Sequence, residues 1–120
     1  MVDATVAAAI LFQEPEAETA RDLLAGNTIH APRLLIFELA NIAVKKVRRH
    51  KKSRMEIMAA LSAIPNLEVR LHEIDPGHSA QLALESELSA YDAAYLWLSR
   101  SLSAPLLTFD EKLRKAALRR

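Results

Sequence analysis

The chain has 120 residues, 51% hydrophobic and 26% charged, a balance typical of a globular protein with room for one cored domain over residues 1–120. The formal net charge is only +1, so any attraction to nucleic acid must come from locally clustered side chains. The sequence contains no cysteine, which excludes disulfide frameworks, thiolate metal sites and cysteine nucleophiles.

Short strands and helices are predicted to alternate along the chain. In chain order, we predict a strand stub at residues 1–2, helices over 4–12 and 15–24, a strand over 28–31, helices over 31–52 and 54–64, a strand over 67–74, a turn at 75–77, helices over 79–88 and 90–102, a strand over 104–109 and a helix over 110–118. Ser53 and Ser89 are predicted N-caps. This alternation indicates an α/β domain with a small, mainly parallel sheet of about four strands. No signal sequence or long apolar span is recognisable, so we expect a soluble cytoplasmic protein.

The predicted 31–52 helix is the most informative element. Pro32 suits its first turn, and its first half is apolar on nearly every face, so we expect it to lie deep in the protein. Glu38 stands within this apolar half, where it would be a metal ligand or one member of a buried ion pair. At about 100° per residue, three basic residues fall within roughly 40° of the Glu38 edge: Lys45, Arg49 and Lys52. They predict a track for a polyanion, or else a solvated helix end that complements the helix dipole.

Three further acids are candidates for the same site. Asp3 follows the first predicted strand and Asp110 the last, at the strand ends where open α/β sheets bind ligands, although either could simply cap a helix. Asp92 stands three residues after Ser89, the spacing of a capping box. Four carboxylates in one cleft would need a cation, and Mg²⁺ or Mn²⁺ suits ligands that are all oxygen. Such an ion activates water and neutralises phosphoryl charge.

Four segments of the sequence resemble the PIN-domain ribonucleases, and within them the VapC toxins of type II toxin–antitoxin modules: residues 2–6, 37–41, 88–96 with the run Ser-Ala-Tyr-Asp-Ala-Ala-Tyr, and 106–110. The resemblance implies a three-layer α/β/α fold. This sequence departs from the family at both ends, since only two residues precede Asp3 where relatives usually have a longer first strand, and relatives often add a final short strand; both departures leave the strand count open. It implies that the metal is bound by Asp3, Glu38, Asp92 and Asp110. Thr5 and Thr108 would order the site. It also implies Mg²⁺- or Mn²⁺-dependent endonucleolytic RNA cleavage, a homodimer, and neutralisation by a cognate VapB-type antitoxin.

Two other functions were weighed against the nuclease. A PIN-like module that binds RNA or protein without cutting is the main alternative. A receiver-type phosphoacceptor domain is weaker, because no paired acids follow the first strand. The four histidines lack metal spacing and are expected at the surface or in loops: His30, His50, His72 and His78. Tyr95 and Trp97 are expected in the core or at an interface.

The long helix and the helix after it have more apolar residues than a small sheet can cover. The second of them contributes Met55, Ile57, Met58 and Leu61. An exposed groove here would accept an amphipathic antitoxin helix, and the Trp97 helix would supply a homodimer contact. The alternative is that these residues fill one monomer core.

Overall fold

The computed structural model describes residues 1–119 and shows an α/β fold. In the described residues the α-helices are α1 Ala4–Leu11, α2 Ala17–Leu24, α3 Leu35–Arg49, α4 Arg54–Ala60, α5 Pro76–Ser86, α6 Ala90–Leu102 and α7 Glu111–Leu118. The strands are β1 Ile29–Pro32 and β2 Val69–His72, and the 3₁₀ segments are Lys51–Ser53 and Leu61–Leu67. No helix in this part of the chain is long and apolar enough to cross a membrane.

The central sheet is small and parallel. β1 and β2 pair in register from Ile29 opposite Val69 to Pro32 opposite His72. On the other side of β1, the Val2 N–H donates to the His30 carbonyl at 3.1 Å, and Val2 forms a parallel bridge with Leu107. Four chain segments therefore lie side by side in the order Leu107, Val2, β1, β2. Only β1 and β2 form a regular ladder, whereas the segments of Val2 and Leu107 are joined by isolated backbone hydrogen bonds.

The strand predicted over residues 104–109 is wrong as a regular element. The Leu107 N–H donates to the Met1 carbonyl at 2.9 Å, and its carbonyl accepts from the Asp3 N–H at 3.2 Å. Because Asp3 already caps α1, the first segment leaves the sheet there, and Leu107 has a partner only at this point. The sheet thus ends beside Asp3.

The long helix predicted over residues 31–52 is wrong at both ends. Ala31 and Pro32 belong to β1, and the Arg33 N–H donates to the His72 carbonyl at 2.9 Å, so sheet pairing overrides the helical preference of this segment. At the other end α3 stops at Arg49, and the next residues turn into a 3₁₀ segment. α3 is therefore a 15-residue helix that begins shortly after β1 and ends before the 3₁₀ turn into α4.

The expectation that the first half of α3 lies deep in the protein holds for one face of the helix and is wrong for the rest. Its buried side chains are Leu35, Leu39 and Ala43, which repeat every four residues and form one stripe towards the core. Phe37, by contrast, is 76% exposed. Glu38 is half-buried beside the stripe, so its carboxylate lies at the edge of the core and within reach of solvent.

Two other helix boundaries differ from the prediction. α5 begins at Pro76 and not after a turn, because the Asp75 side chain accepts the His78 N–H at 3.1 Å and proline suits the first helical position. α4 ends at Ala60 and continues as a 3₁₀ segment through Pro65. Ser53 makes no side-chain cap for α4, whereas the predicted Ser89 cap of α6 is confirmed by its hydrogen bond with the Asp92 N–H at 3.0 Å.

The helices form two packed groups around the sheet, as expected for three α/β/α layers. α1 contacts α2 and α3, and α3 contacts α4; in the second group α6 contacts α5, α7 and β1. The most deeply buried large side chains include Val6, Leu35, Leu39, Tyr95, Leu96 and Leu113. α3 and α6, which carry Glu38 and Asp92, are thus both anchored in the core, and α6 also contacts the sheet at β1.

Candidate active site

Asp3 is the most firmly held of the four predicted acids. It is only 4% exposed and caps α1, so its capping role is confirmed. Oδ1 accepts hydrogen bonds from the Thr5 hydroxyl at 2.6 Å and from the N–H groups of Thr5 and Val6 at 3.1 and 3.3 Å. Oδ2 accepts from the Thr108 hydroxyl at 2.5 Å. Burial raises the pKa of Asp3, and these hydrogen bonds to the ionised form oppose that rise.

Thr5 and Thr108 connect Asp3 to the segment that carries Asp110. The Thr5 hydroxyl oxygen accepts the Phe109 N–H at 2.8 Å, and the Thr108 hydroxyl oxygen accepts the Asp110 N–H at 2.9 Å. Each hydroxyl therefore donates to Asp3 and accepts from the backbone beside Asp110. This geometry places both threonines where a site-ordering role requires them.

Asp110 and Asp92 stand at the starts of two helices. The exposed Asp110 caps α7 through its Oδ1, which accepts the Leu113 N–H at 2.9 Å. Asp92 is half-buried in the first turn of α6. Burial raises its pKa, the charges of Asp110 and Asp3 raise it further, and Lys112 and the Ser89 hydroxyl oppose the rise. Among the hydrogen bonds of residues 1–119, the Asp92 carboxylate does not accept the Ser89 N–H, so the reciprocal half of the capping box is not formed.

Glu38 is hydrogen-bonded to a tyrosine, and within residues 1–119 it does not form the ion pair that was its alternative. The Tyr95 hydroxyl donates to Glu38 Oε1 at 2.5 Å, and Tyr95 is almost fully buried. Burial raises the pKa of Glu38, Asp92 and Asp3 add to the rise, and the Tyr95 hydrogen bond opposes it. Burial and the Glu38 charge raise the pKa of Tyr95, so it remains a protonated donor.

Tyr95 is the site residue that the sequence analysis missed. Its expected place in the core is correct, but its hydroxyl is turned towards the acids. Two signals were available: Asp92 and Tyr95 are three residues apart on one helix face, and a buried tyrosine hydroxyl normally has a polar partner.

The structure brings the four acids together from four separate segments. The charges of Asp110 and Asp3 raise the pKa of Asp92, and the charge of Asp92 raises the pKa of Glu38, as expected for carboxylates that lie near one another. None of the four is ion-paired: the ion pairs within residues 1–119 are Arg33–Glu73, Lys46–Glu14 and Arg114–Glu111. Uncompensated carboxylates are the donors that Mg²⁺ and Mn²⁺ prefer. In the same residues, however, no three acidic or histidine side chains are gathered closely enough to hold an ion as they stand.

The predicted basic track is only partly aligned with this site. Lys45 is exposed and lines a cleft of about 440 Å³ together with Glu38. Arg49 is exposed at the end of α3. Lys52 lies in the 3₁₀ segment beyond the helix, so its predicted alignment with Glu38 is wrong. Lys46, between them, pairs with Glu14 at 3.0 Å.

The histidines are not all surface or loop residues. His30 and His72 lie on the adjacent strands, half-buried, with Nδ1 of the first 2.9 Å from Nε2 of the second, so the expectation for these two is wrong. The exposed His78 stacks on the half-buried Trp97 with ring centroids 5.1 Å apart. His50 is exposed after α3, as expected.

Comparison with known proteins supports this architecture. The family model described as PIN domain matches residues 1–118. Ribonuclease VapC9 of Mycobacterium tuberculosis is 29% identical over 113 residues, which cover 94% of this chain and 87% of that protein. Ribonuclease VapC1 of the same organism is 31% identical over 118 residues, covering 94% and 86%.

The fold has a solved counterpart. The crystal structure of PAE2754 from Pyrobaculum aerophilum superposes with a TM-score of 0.67 and 23% identity, covering 98% of this chain and 84% of that one. Since the family match extends over nearly the whole sequence and the solved neighbour has the same fold, the chain belongs to the PIN domain family.

Proposed function

We propose that this chain is a Mg²⁺- or Mn²⁺-dependent endoribonuclease, the toxin of a toxin–antitoxin pair. The observation that supports it best is a set of four carboxylates that converge and have no ion-pair partner within the described part of the chain: Asp3, Glu38, Asp92 and Asp110. Relatives of similar length are named VapC ribonucleases. The alternative of a PIN-like module that only binds RNA or protein would not require this accumulation of like charge.

The four acids would hold the ion with different freedom. The Asp3 carboxylate is held in one orientation, because the hydroxyls of Thr5 and Thr108 donate hydrogen bonds to its two oxygens. Asp92, Glu38 and Asp110 are half-buried or exposed, so their side chains can turn towards an ion by rotamer changes. An ion would therefore be held by Asp3 in its present position and by the other three side chains after such changes.

We assign Glu38 the role of the general base that accepts a proton from the attacking water. Glu38 lines the cleft beside the acids, so its carboxylate can reach a water that enters there and accept its proton. Tyr95 holds Oε1 and so orients the carboxylate. When bound, the divalent ion supplies acidification of water and neutralisation of the phosphodiester charge.

The direct test is cleavage of RNA by the purified protein. We expect cuts in at least one member of a panel of structured cellular RNAs with Mg²⁺ or Mn²⁺, and none when EDTA is present. RNA that is bound but uncut at high protein concentration with either ion would favour the binding module instead.

We also propose that Lys45, Arg49 and Lys52 contact RNA phosphates. For single-stranded RNA, each lost phosphate contact should flatten the slope of log affinity against log salt by about 0.7. We expect the triple alanine variant to show that flattening in binding titrations with EDTA, with little change in stability. Lys115→Ala, an exposed lysine on α7, is the matched control. An unchanged slope in the triple variant would assign the three residues to a plain solvated surface.

Protein partners form the last part of the proposal. Apolar side chains remain uncovered where α3 and α4 meet the solvent: Met55 is 85% and Met58 47% exposed. An amphipathic helix of an antitoxin would cover such a surface. The helix that carries Trp97, α6, would contact a second copy of the chain in a homodimer.

Two measurements test these partners. Light scattering should show a dimer, and Met58→Glu should abolish co-purification with a co-expressed VapB-type antitoxin while the circular dichroism spectrum is kept. Leu118→Glu, on an exposed α7 position, should leave the complex intact. A monomer at all concentrations, together with a Met58→Glu variant that merely unfolds, would return this surface to the monomer core.

A further inference from the structure

A cleft beside the acids is lined by two aromatic side chains that have no role in the proposed hydrolysis. Its volume is about 440 Å³, and it opens between α3 and the start of α6. Its lining residues are Ala4, Leu34, Phe37, Glu38, Asn41, Ile42, Lys45 and Tyr91. Since Glu38 belongs both to the cleft and to the acidic site, anything bound in the cleft lies next to the reacting groups.

Two exposed aromatic rings line this cleft. Phe37 is 76% and Tyr91 67% exposed, and each directly precedes an acid of the site, Glu38 on α3 and Asp92 on α6. Neighbouring residues on a helix point about 100° apart. The acid therefore faces the site, and the ring before it lies at the outer edge of the cleft. Single exposed apolar residues need no explanation, but two aromatic rings on one cleft indicate a bound partner.

The residues that follow Phe37 on α3 add polar groups in a row. Asn41 and Lys45 stand four and eight residues further on, so a ring, an amide and an ammonium group succeed one another along one helix face. An unpaired nucleotide offers matching groups: a base with a π face, hydrogen-bonding edges, and a phosphate. Unpaired bases in RNA are recognised by aromatic stacking and by polar contacts to their edges.

We infer that this cleft binds one or two unpaired bases of the RNA beside the phosphate to be cut, stacked on Phe37 and Tyr91, with Asn41 at a base edge and Lys45 at a neighbouring phosphate. The inference deepens the proposed ribonuclease function and rests on it. An apolar protein segment fits less well, because it would bury the Lys45 and Asn41 side chains without partners.

The test compares RNA with and without bases. Fluorescence anisotropy, in EDTA to prevent cutting, would measure binding of a labelled unstructured ten-nucleotide RNA and of an abasic sugar–phosphate chain of the same length. Base stacking on one ring corresponds to an affinity change of about 5- to 150-fold. We expect the double variant Phe37→Ala/Tyr91→Ala to weaken binding of the RNA by about 5-fold or more, and to leave binding of the abasic chain unchanged.

Three controls separate the rings from general effects. Phe37→Tyr and Tyr91→Phe keep a ring and should bind RNA like the wild type. Leu84→Ala removes an equally exposed apolar side chain from α5 and should change nothing. Circular dichroism should show that all variants are folded, as expected for substitutions of exposed residues.

Two results would overturn the inference: wild-type protein that binds RNA and the abasic chain equally well, or a double alanine variant that binds RNA like the wild type. If the double alanine variant binds RNA like the wild type and in addition loses self-association in light scattering, the cleft is a protein interface. Ring-dependent RNA binding without any cleavage in Mg²⁺ or Mn²⁺ would support the cleft while refuting the nuclease.

Discussion

Glu38→Gln is expected to lower the rate of RNA cleavage by about 10²- to 10⁴-fold, the range found when a general acid or base is removed. Glutamine has nearly the same shape and still accepts the Tyr95 hydroxyl, so the fold and the α3–α6 contact should persist. The measurement is the initial rate of cleavage of one RNA identified in the panel, with Mn²⁺ in excess. Circular dichroism and urea unfolding would check the fold.

Two variants place limits on this result. Glu18→Gln, an exposed glutamate on α2, should cleave like the wild type. Tyr95→Phe leaves the carboxylate but removes the group that orients it, and residues that orient a site typically contribute 10- to 100-fold. A Glu38→Gln preparation that cuts within about threefold of the wild type would show that Glu38 is not the base.

Removal of divalent metal is expected to produce the largest change in stability. If the acids bind Mn²⁺ and the unfolded chain does not, Mn²⁺ at 100 times its Kd adds about 2.7 kcal/mol to the free energy of unfolding. For a chain of this size, that corresponds to an increase in Tm of roughly 10 °C. Differential scanning calorimetry with Mn²⁺ and with EDTA would measure it.

The matched variants in this experiment are Asp92→Asn and Asp3→Asn. Each removes one carboxylate, so the Mn²⁺-dependent increase in Tm should shrink strongly in both. Glu18→Gln should keep the full increase. Equal increases in the wild type and both asparagine variants would refute the metal site.

The same acids predict how stability depends on pH in EDTA. Burial raises the pKa values of Asp3, Glu38 and Asp92 above their ordinary values of 3.8, 4.5 and 3.8. Between the ordinary and the raised values, the folded protein binds more protons than the unfolded chain, so the contribution of these groups to stability falls as pH rises through that window. Mn²⁺ competes with those protons, and its stabilising effect should therefore grow with pH. In EDTA, Asp92→Asn should lose part of the pH dependence.

Local patterns in the sequence determined much of this protein. The alternation of strands and helices, the α/β class and the Ser89 cap follow from hydrophobic period, breakers and capping residues, all of which act over a few neighbouring residues. The four acids were also identified from sequence, through their positions and the family resemblance. Their capping roles at Asp3 and Asp110 are likewise local, since each carboxylate accepts an N–H from within three residues.

What only the tertiary structure decided involves residues far apart in the chain. Tyr95 meets Glu38 across 57 residues, and Thr108 meets Asp3 across 105, because packing of α6 and the sheet edge brings them together. Pro32 lies in a strand because β2 pairs with its segment, a contact that no local propensity encodes. Phe37 is exposed because only one stripe of α3 finds a partner in the core. Periodicity specifies which residues share a helix face, but the free energy of burial that selects the inward face depends on neighbours supplied by the rest of the fold.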